Sequence, residues 1–214
     1  MTTLDEILSR SSSLHTHLCP RQVLGARMGL YAAHVFSLDL PRRDKRLLVI
    51  AETDGCFADG VEAATGCTVG HRTLRIEDYG KVAATFTDVS AGMSLRVAPR
   101  LDVRERAFAL APGENRRYFA QLRAYQVMPY DELFSMESVE LNTPADVILG
   151  RPGVRVNCDG CGEEIINGRE VGSRDLVLCL ACAGTAYYSA SAHPHYGNSN
   201  NLHAFFEREV ETNV

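Results

Sequence analysis

Residues 158–182 read CDGCGEEIINGREVGSRDLVLCLAC, with a Cys-x-x-Cys pair at each end of the stretch. A Cys-x-x-Cys turn brings two sulfur atoms to the same side of the chain, at about the separation that tetrahedral Zn²⁺ requires. We therefore predict one structural zinc site, whose four ligands are Cys158, Cys161, Cys179 and Cys182. Because the protein fills every ligand position, none is open for substrate. Two redox disulfides, or four unrelated core thiols, are the alternative interpretation.

The segment between the two pairs is long enough for a hairpin, and Gly160 and Gly162 permit a tight turn beside the first pair. A helix from Cys182 through Tyr188 would complete a treble-clef-like zinc finger. Arginines and acidic residues around it offset one another in charge. We predict a module that serves stability or a protein interface, rather than one that binds nucleic acid.

The composition is that of an ordinary globular protein, with 45% hydrophobic and 23% charged residues. Its net charge of −5 argues further against a nucleic-acid partner. The longest apolar run, Leu47–Ala51, is far shorter than the roughly 20 residues that cross a bilayer. Residues 1–10 lack a hydrophobic signal core, and the seven cysteines are an odd number. These features predict a cytoplasmic protein without a membrane segment, in which cysteines serve metal or thiol chemistry.

Upstream of residue 158, helical and strand patterns alternate without a repeated βαβ rhythm. Residues 3–6 have the form of a capping box, and Pro20 begins a helix with one apolar face. Leu47–Ala51 predicts a buried strand. Further helices are expected over 59–65, 102–111 and 113–127, and further strands over 74–76, 82–86, 95–97 and 139–141. We predict an α+β fold, with a mixed or antiparallel sheet core and flanking helices, plus the small zinc-finger module.

Three regions are expected along the chain. A core domain would cover residues 1–142, and the Pro- and Gly-bearing segment that follows reads as a linker. The zinc-finger module would cover residues 143–190. Residues 191–214, rich in Ser, Asn and His, are expected to form a flexible extension.

The segment His15-Thr16-His17-Leu18-Cys19-Pro20 brings two imidazoles and a thiol close together. In an extended chain, His15, His17 and Cys19 share one side. If a helix begins at Pro20, Cys19 occupies its N-cap, where the helix dipole would lower the pKa of the thiol. A metal ligand and a nucleophile both need the thiolate that results.

Cys56 directly follows the predicted strand, in a turn that also carries Glu52 and Asp54. We predict a core metal site with His17, Cys19 and Cys56 as ligands and with the identity of the metal open. One of the two acids would accept a hydrogen bond from an imidazole N–H.

Three residues are candidates for a catalytic role. Cys19 is a candidate nucleophile, and His15 is either a fourth metal ligand or an acid–base group. Lys81 lies in a polar turn and is a candidate anion contact. Cys67 is expected to be a small buried apolar residue.

These motifs together resemble the FmdE-like family, which is named after a component of formylmethanofuran dehydrogenase, and the resemblance covers most of the chain. The matching features are a His-x-His-x-Cys-Pro segment, a Gly-x-Arg pair, an acidic/Cys turn, a Thr-Gly-Cys-Thr element, an Asp-x-Gly-Lys turn and the closing Cys-x-x-Cys pairs. They are His15, His17, Cys19, Pro20, Gly25, Arg27, residues 52–56, residues 65–68, Asp78, Gly80, Lys81 and the four cysteines from Cys158 to Cys182. Thr16 and Arg21 stand where members of the family commonly have Gly.

The resemblance implies an α+β core joined to a treble-clef zinc finger, in a homodimer that exchanges elements between protomers. It also implies a cleft near the first His/Cys segment that holds a metal. The family's name reflects an association with molybdenum or tungsten formylmethanofuran dehydrogenase, and it does not by itself establish an activity for this chain.

Three functions are compatible with these residues. The favoured one is a metal-dependent protein that acts on a small-molecule or metal substrate, and whether it is an enzyme stays open. The second is a thiol-redox protein that uses Cys19, with Cys56 or Cys67 as a resolving thiol. The third is a regulatory or metal-carrier protein associated with molybdenum or tungsten enzymes.

Overall fold

The computed structural model describes residues 2–13, 17–173 and 175–189. The chain forms two compact units, of which the first ends at Gly150 and the second begins at Arg151. The boundary expected at residue 142 falls inside the first unit, before its last helix. The extension expected over 191–214 lies outside the described residues.

The described residues of both units contain helices. They are α1 (Leu4–Ser12), α2 (Pro20–Phe36), α3 (Cys56–Thr65), α4 (Val103–Leu110), α5 (Arg117–Val127), α6 (Tyr130–Leu133), α7 (Ala145–Leu149) and α8 (Ala181–Thr185), the last with π-type geometry. Among the described residues, no helix is long and apolar enough to cross a bilayer.

The strands of the first unit form one five-stranded sheet, and those of the second form two hairpins. They are β1 (Leu47–Ala51), β2 (Leu74–Ile76), β3 (Ala84–Asp88), β4 (Met93–Pro99), β5 (Phe134–Val139), β6 (Arg155–Asn157), β7 (Glu164–Ile166), β8 (Val171–Ser173) and β9 (Leu176–Leu178). The large sheet has the order β2-β1-β3-β4-β5, in which only the β1–β2 pair is parallel. The predicted α+β class with a mixed sheet and flanking helices is confirmed.

The core of the first unit lies between one face of this sheet and the helices. Side chains of a strand alternate between its two faces, and on β1 it is Leu47, Val49 and Ala51 that join the core cluster. The same cluster contains Val23 of α2 and Phe57 of α3, both fully buried. At about 25 cal/mol per Å² of apolar surface removed from water, the burial of each such side chain stabilises the fold by about 2 kcal/mol. The face opposite the helices is left for other contacts.

Helices α2 and α3 pack so closely that glycine is required where they cross. A Cβ on Gly25 would lie 2.3 Å from the carbonyl oxygen of Phe57, and one on Gly60 would lie 2.2 Å from that of Gln22. Both distances are far inside van der Waals contact with backbone atoms that cannot move independently. The crossing therefore fixes the starts of the two helices relative to each other.

Several elements differ in their bounds from the sequence-based expectation, and two of the differences have a clear physical reason. Strand β5 runs from Phe134 to Val139 rather than over 139–141, since most of its side chains are exposed and carry no hydrophobic alternation. Helix α3 begins at Cys56 instead of residue 59, because Gly55 adopts a positive φ of 65° and turns the chain directly into the helix.

Candidate functional site

The four paired cysteines form one cluster in the second unit. Their four sulfur atoms all lie within 4.8 Å of one another. Cys158 and Cys161 occupy the turn between β6 and β7, while Cys179 follows β9 and Cys182 lies in α8. In the described part of the chain, no other group of three or more Cys, His, Asp or Glu side chains meets this distance.

Backbone N–H groups converge on the sulfur atoms of this cluster. Cys158 Sγ accepts from the N–H of Cys179 at 3.2 Å and from that of Gly160 at 3.4 Å. The Cys179 N–H is the largest cause that lowers the pKa of Cys158 to about 6. A Cβ on Gly160 would lie 3.0 Å from Cys182 Sγ, so this position needs glycine for the sulfur to approach. One thiol of the cluster is thus prepared to ionise.

The pKa of Cys182 is raised to about 12, first by its hydrogen bond with the Cys179 side chain and then by those with Cys158 and Cys161. Sulfur atoms this close cannot all be thiolates without a cation among them. A divalent ion that prefers four sulfur ligands meets that requirement, so the donor set fits a closed metal site.

In the first unit, the Cys56 side chain is among the groups that raise the pKa of the Cys19 thiol, after burial, so the two thiols lie near each other. Cys19 is the N-cap of α2, and Cys56 is the first residue of α3. They meet because the glycine crossing of the two helices brings both helix starts together. Two of the three predicted core ligands are therefore adjacent.

Cys19 lies in a buried position at the start of α2 and is only 8% exposed. Its backbone N–H donates to Gln22 Oε1 at 2.8 Å. Burial raises the pKa of the Cys19 thiol, and this outweighs the backbone N–H groups of Gln22 and Arg21, which lower it. The expected depression of the pKa by the helix start is thus reversed, because removal from water disfavours the thiolate more strongly.

Helix α5 supplies a side chain that sequence reasoning did not find. The Tyr118 hydroxyl donates to the carbonyl oxygen of Leu18 at 3.0 Å, one residue before Cys19. Burial raises the pKa of Tyr118, and the charges of Cys19 and Cys56 raise it further. No local sequence pattern links residue 118 to residue 19, since only the packing of α5 brings them together.

Arg27 of the Gly-x-Arg pair holds the other end of α5. Its guanidinium donates to the carbonyl oxygens of Tyr125 at 2.8 Å, Gln126 at 2.6 Å and Met128 at 2.6 Å. It also lies over the ring of Tyr130, 4.6 Å from the centroid. These carbonyls lack helical partners at the end of α5, so Arg27 caps that helix from α2.

The two histidines of the first His/Cys segment differ in position. His15 lies outside the described residues. His17 is exposed. Among the described residues, the ring nitrogens of His17 and the sulfur atoms of Cys19 and Cys56 do not form a group whose ligand atoms all lie within 4.8 Å of one another. Its position two residues before Cys19 nevertheless places it on the chain segment that enters the site.

The remaining candidates are Cys67 and Lys81. Cys67 is 1% exposed, and its Sγ donates to the carbonyl oxygen of Leu47, at the opposite end of β1 from Cys56. Cys67 is therefore a core residue. Lys81 is exposed, with Nζ 6.0 Å from the centroid of the Tyr79 ring.

Glu52, one of the two acids that were expected to orient an imidazole, has another partner. Glu52 accepts two hydrogen bonds from Arg96, at 2.5 Å from Nε and 2.8 Å from Nη2. This bidentate ion pair joins the end of β1 to β4. Asp54 is exposed in the turn before α3.

These features define a class of protein: a small α+β domain that pairs two cysteines at its helix starts, followed by a four-cysteine module. The model of one family, described as "FmdE, Molybdenum formylmethanofuran dehydrogenase operon", matches residues 14–135. That match covers more than half of the sequence, and the chain belongs to the FmdE family. The resemblance drawn from the sequence is confirmed.

Two known proteins are similar to the chain. A "Probable S-adenosyl-L-methionine-binding protein" of Archaeoglobus fulgidus is 28% identical over 207 residues, covering 86% of this chain and 54% of that protein. The chain thus spans about half the length of the curated relative it matches. The crystal structure of a "tungsten formylmethanofuran dehydrogenase subunit e (fmde)-like protein" from Syntrophus aciditrophicus has a TM-score of 0.56 and 22% identity, over 88% of this chain and 96% of that one. This likeness supports the fold.

Proposed function

We propose that this protein binds two metal ions: a structural zinc ion in the second unit and a functional metal ion at the core cysteines. The observation that carries the proposal is the close crossing of α2 and α3, which brings Cys19 and Cys56 near each other at the starts of the two helices. Four cysteines without another donor favour Zn²⁺ in the second unit. Because the four thiolates fill every ligand position of the ion, its role there is structural.

The core site would hold its metal through Cys19 and Cys56, with His17 as the third ligand. A buried pair of thiols is costly to ionise in isolation, and a cation removes that cost. Three protein ligands leave one position for a small molecule, and the ion would supply Lewis-acid chemistry there. The Tyr118 phenol lies beside the thiols and can hold or donate a proton at that position. His15 as an acid–base group and Lys81 as an anion contact complete the proposal.

The metal content of variants tests the core site. Purified protein with a saturated four-cysteine module should contain two metal ions per chain, and Cys19→Ser and Cys56→Ser should each contain one. Cys67→Ser is the matched control, because this thiol bonds to Leu47 in the core, and it should retain two. One ion per chain in the wild type and in all three variants would contradict the core metal site.

A thiol-redox function is the second candidate, because the same two thiols lie near each other. With oxidised glutathione, Cys19 and Cys56 would form a disulfide and lose two protons and two electrons, while two glutathione thiols are released. Mass spectrometry of the metal-free protein would find a Cys19–Cys56 crosslink. The raised pKa of Cys19 favours the metal site over this candidate, since a nucleophile at neutral pH needs the thiolate.

The assembly and partners are proposals that rest on the family. We propose a homodimer and an association with a molybdenum or tungsten enzyme, either as a metal carrier or as a regulatory protein. Light scattering of the purified chain checks the dimer, and a mass of one chain at micromolar concentration would contradict it.

A further inference from the structure

A cavity of about 530 Å³ lies over the face of the sheet that points away from the core. Its floor is a row in register across four strands, namely Arg75, Ile50, Thr85 and Arg96. Its roof is the chain from Val139 to Ile148, between the end of β5 and α7. The volume is within the roughly 300–1,000 Å³ of small-molecule sites.

Arg75 joins the roof to the floor and keeps one donor unused. Its Nη2 donates to the carbonyl oxygen of Ile148 at 3.1 Å. Its Nε is buried and has no hydrogen-bond partner in the described part of the chain. No ion pair of Arg75 is found in the described part of the chain, and a carboxylate is the acceptor that a guanidinium binds most strongly. The side of the cavity lined by Arg75 therefore suits a carboxylate.

Arg96, the other cation of the floor, is already compensated. Its guanidinium forms the bidentate pair with Glu52, which also lines the cavity. Only Arg75 is then available to balance an added negative charge at the floor. The floor accordingly suits one carboxylate rather than a dianion such as phosphate.

Two exposed acids also line the cavity. They are Glu77 and Glu140, and their charges face an entering molecule. Carboxylates there repel a second negative charge and attract a cationic group. Tyr79, 66% exposed, and the apolar side chains of Ile50 and Ile148 offer surface for the body of a ligand.

We propose that this cavity binds a small zwitterion of the α-amino-acid type, with its carboxylate on Arg75 and its cationic end toward Glu77 and Glu140. S-adenosyl-L-methionine belongs to this class, because it carries a carboxylate, an ammonium group and a sulfonium centre. It is also the ligand in the name of the Archaeoglobus relative. The site is separate from the core thiols and does not rest on their metal.

Calorimetric titration of the full zinc-loaded chain tests the proposal with three probes. They are S-adenosyl-L-methionine, L-methionine and L-methioninamide, which lacks the carboxylate. We expect S-adenosyl-L-methionine, L-methionine or both to bind saturably. L-methioninamide should bind about tenfold more weakly or not at all. Arg75→Met should weaken binding by about tenfold, whereas the matched control Arg106→Met, on α4 and outside the cavity, should leave it unchanged.

Arg75 also holds Ile148, so a second variant separates ligand binding from loosening of the roof. Ile50→Phe fills the floor without removing the guanidinium, and it should weaken binding as well. Thermal unfolding checks that both variants fold. The proposal is overturned if neither carboxylate binds at millimolar concentration, if the amide binds as tightly as L-methionine, or if binding survives both substitutions.

Discussion

Arg27 Nη2 donates to the carbonyl oxygen of Met128 at 2.6 Å, which ties the middle of α2 to the end of α5. The start of the same helix α5 carries Tyr118, which bonds to the carbonyl beside Cys19. One arginine on α2 therefore positions a helix that returns to the N-terminus of α2. The arginine of the Gly-x-Arg pair thus has a structural role in this closure.

Replacing Arg27 by Met should destabilise the protein by about 3 kcal/mol, because three buried carbonyls lose their donor. The measurement is the free energy of unfolding in urea. Arg21→Met is the matched control, since Arg21 is exposed six residues earlier on α2, and it should change stability by less than about 0.5 kcal/mol. Equal effects of the two variants would show that the cap on α5 carries little energy.

Gly25→Ala should destabilise the first unit by about 2–3 kcal/mol, because the new Cβ would overlap the Phe57 carbonyl. The variant should also separate the core thiols, so it should bind less metal at the core site while the four-cysteine module stays loaded. Gly113→Ala is the control, since a Cβ there meets open space. Unfolding curves and metal content check the two effects, and an unaltered stability would contradict the close crossing.

Chelation of the structural metal should unfold the second unit, since small hairpins joined by four thiols have little core of their own. Hydrogen exchange should show amide protection lost in β6–β9 and retained in β1. Cys161→Ser should reproduce this pattern without chelator. Protection that persists in β6–β9 after complete metal removal would argue that the hairpins fold without the ion.

The buried carboxylate of Asp88 should make stability depend on pH. Arg46 donates to it at 3.0 Å, and this ion pair is the largest cause that lowers the pKa of Asp88. A carboxyl whose folded pKa is depressed contributes stability above its unfolded value of about 4, and that stability is lost as the pH falls below about 4.

Asp88→Asn should therefore cost about 1 kcal/mol at pH 7 and progressively less below about pH 4. Urea unfolding of both proteins from pH 7 to pH 3 measures the difference. Asp39→Asn, at an exposed position, is the control. A cost for Asp88→Asn that is the same at both ends of this range would show that the charge is not responsible.

Much of the fold could be predicted from local patterns. The capping box at Thr3, the helix after Pro20 and the strand Leu47–Ala51 are each determined by neighbouring residues, and the structure contains all three. Strand β5 could not be placed, because an exposed edge strand has no apolar alternation to mark it. The spacing of the four paired cysteines was enough to predict their cluster.

The surroundings of the core site could be predicted less well. The sequence motifs identified Cys19 and Cys56 as candidates, but the proximity of the two thiols depends on a helix crossing whose glycines are far apart in the sequence. Tyr118 was missed because only the packing of α5 brings it to the residue before Cys19. The direction of the Cys19 pKa was wrong, since the helix start can be read from Pro20 while burial depends on the whole fold.

The glycine crossing has a consequence for how such a site can change over evolution. Backbone contacts at Gly25 and Gly60 hold together the starts of α2 and α3, which carry Cys19 and Cys56. A single methyl group added at either glycine would act as a spacer between the helices and move the two thiols apart. The selectivity of the proposed core metal site would then depend on residues that do not contact the ion.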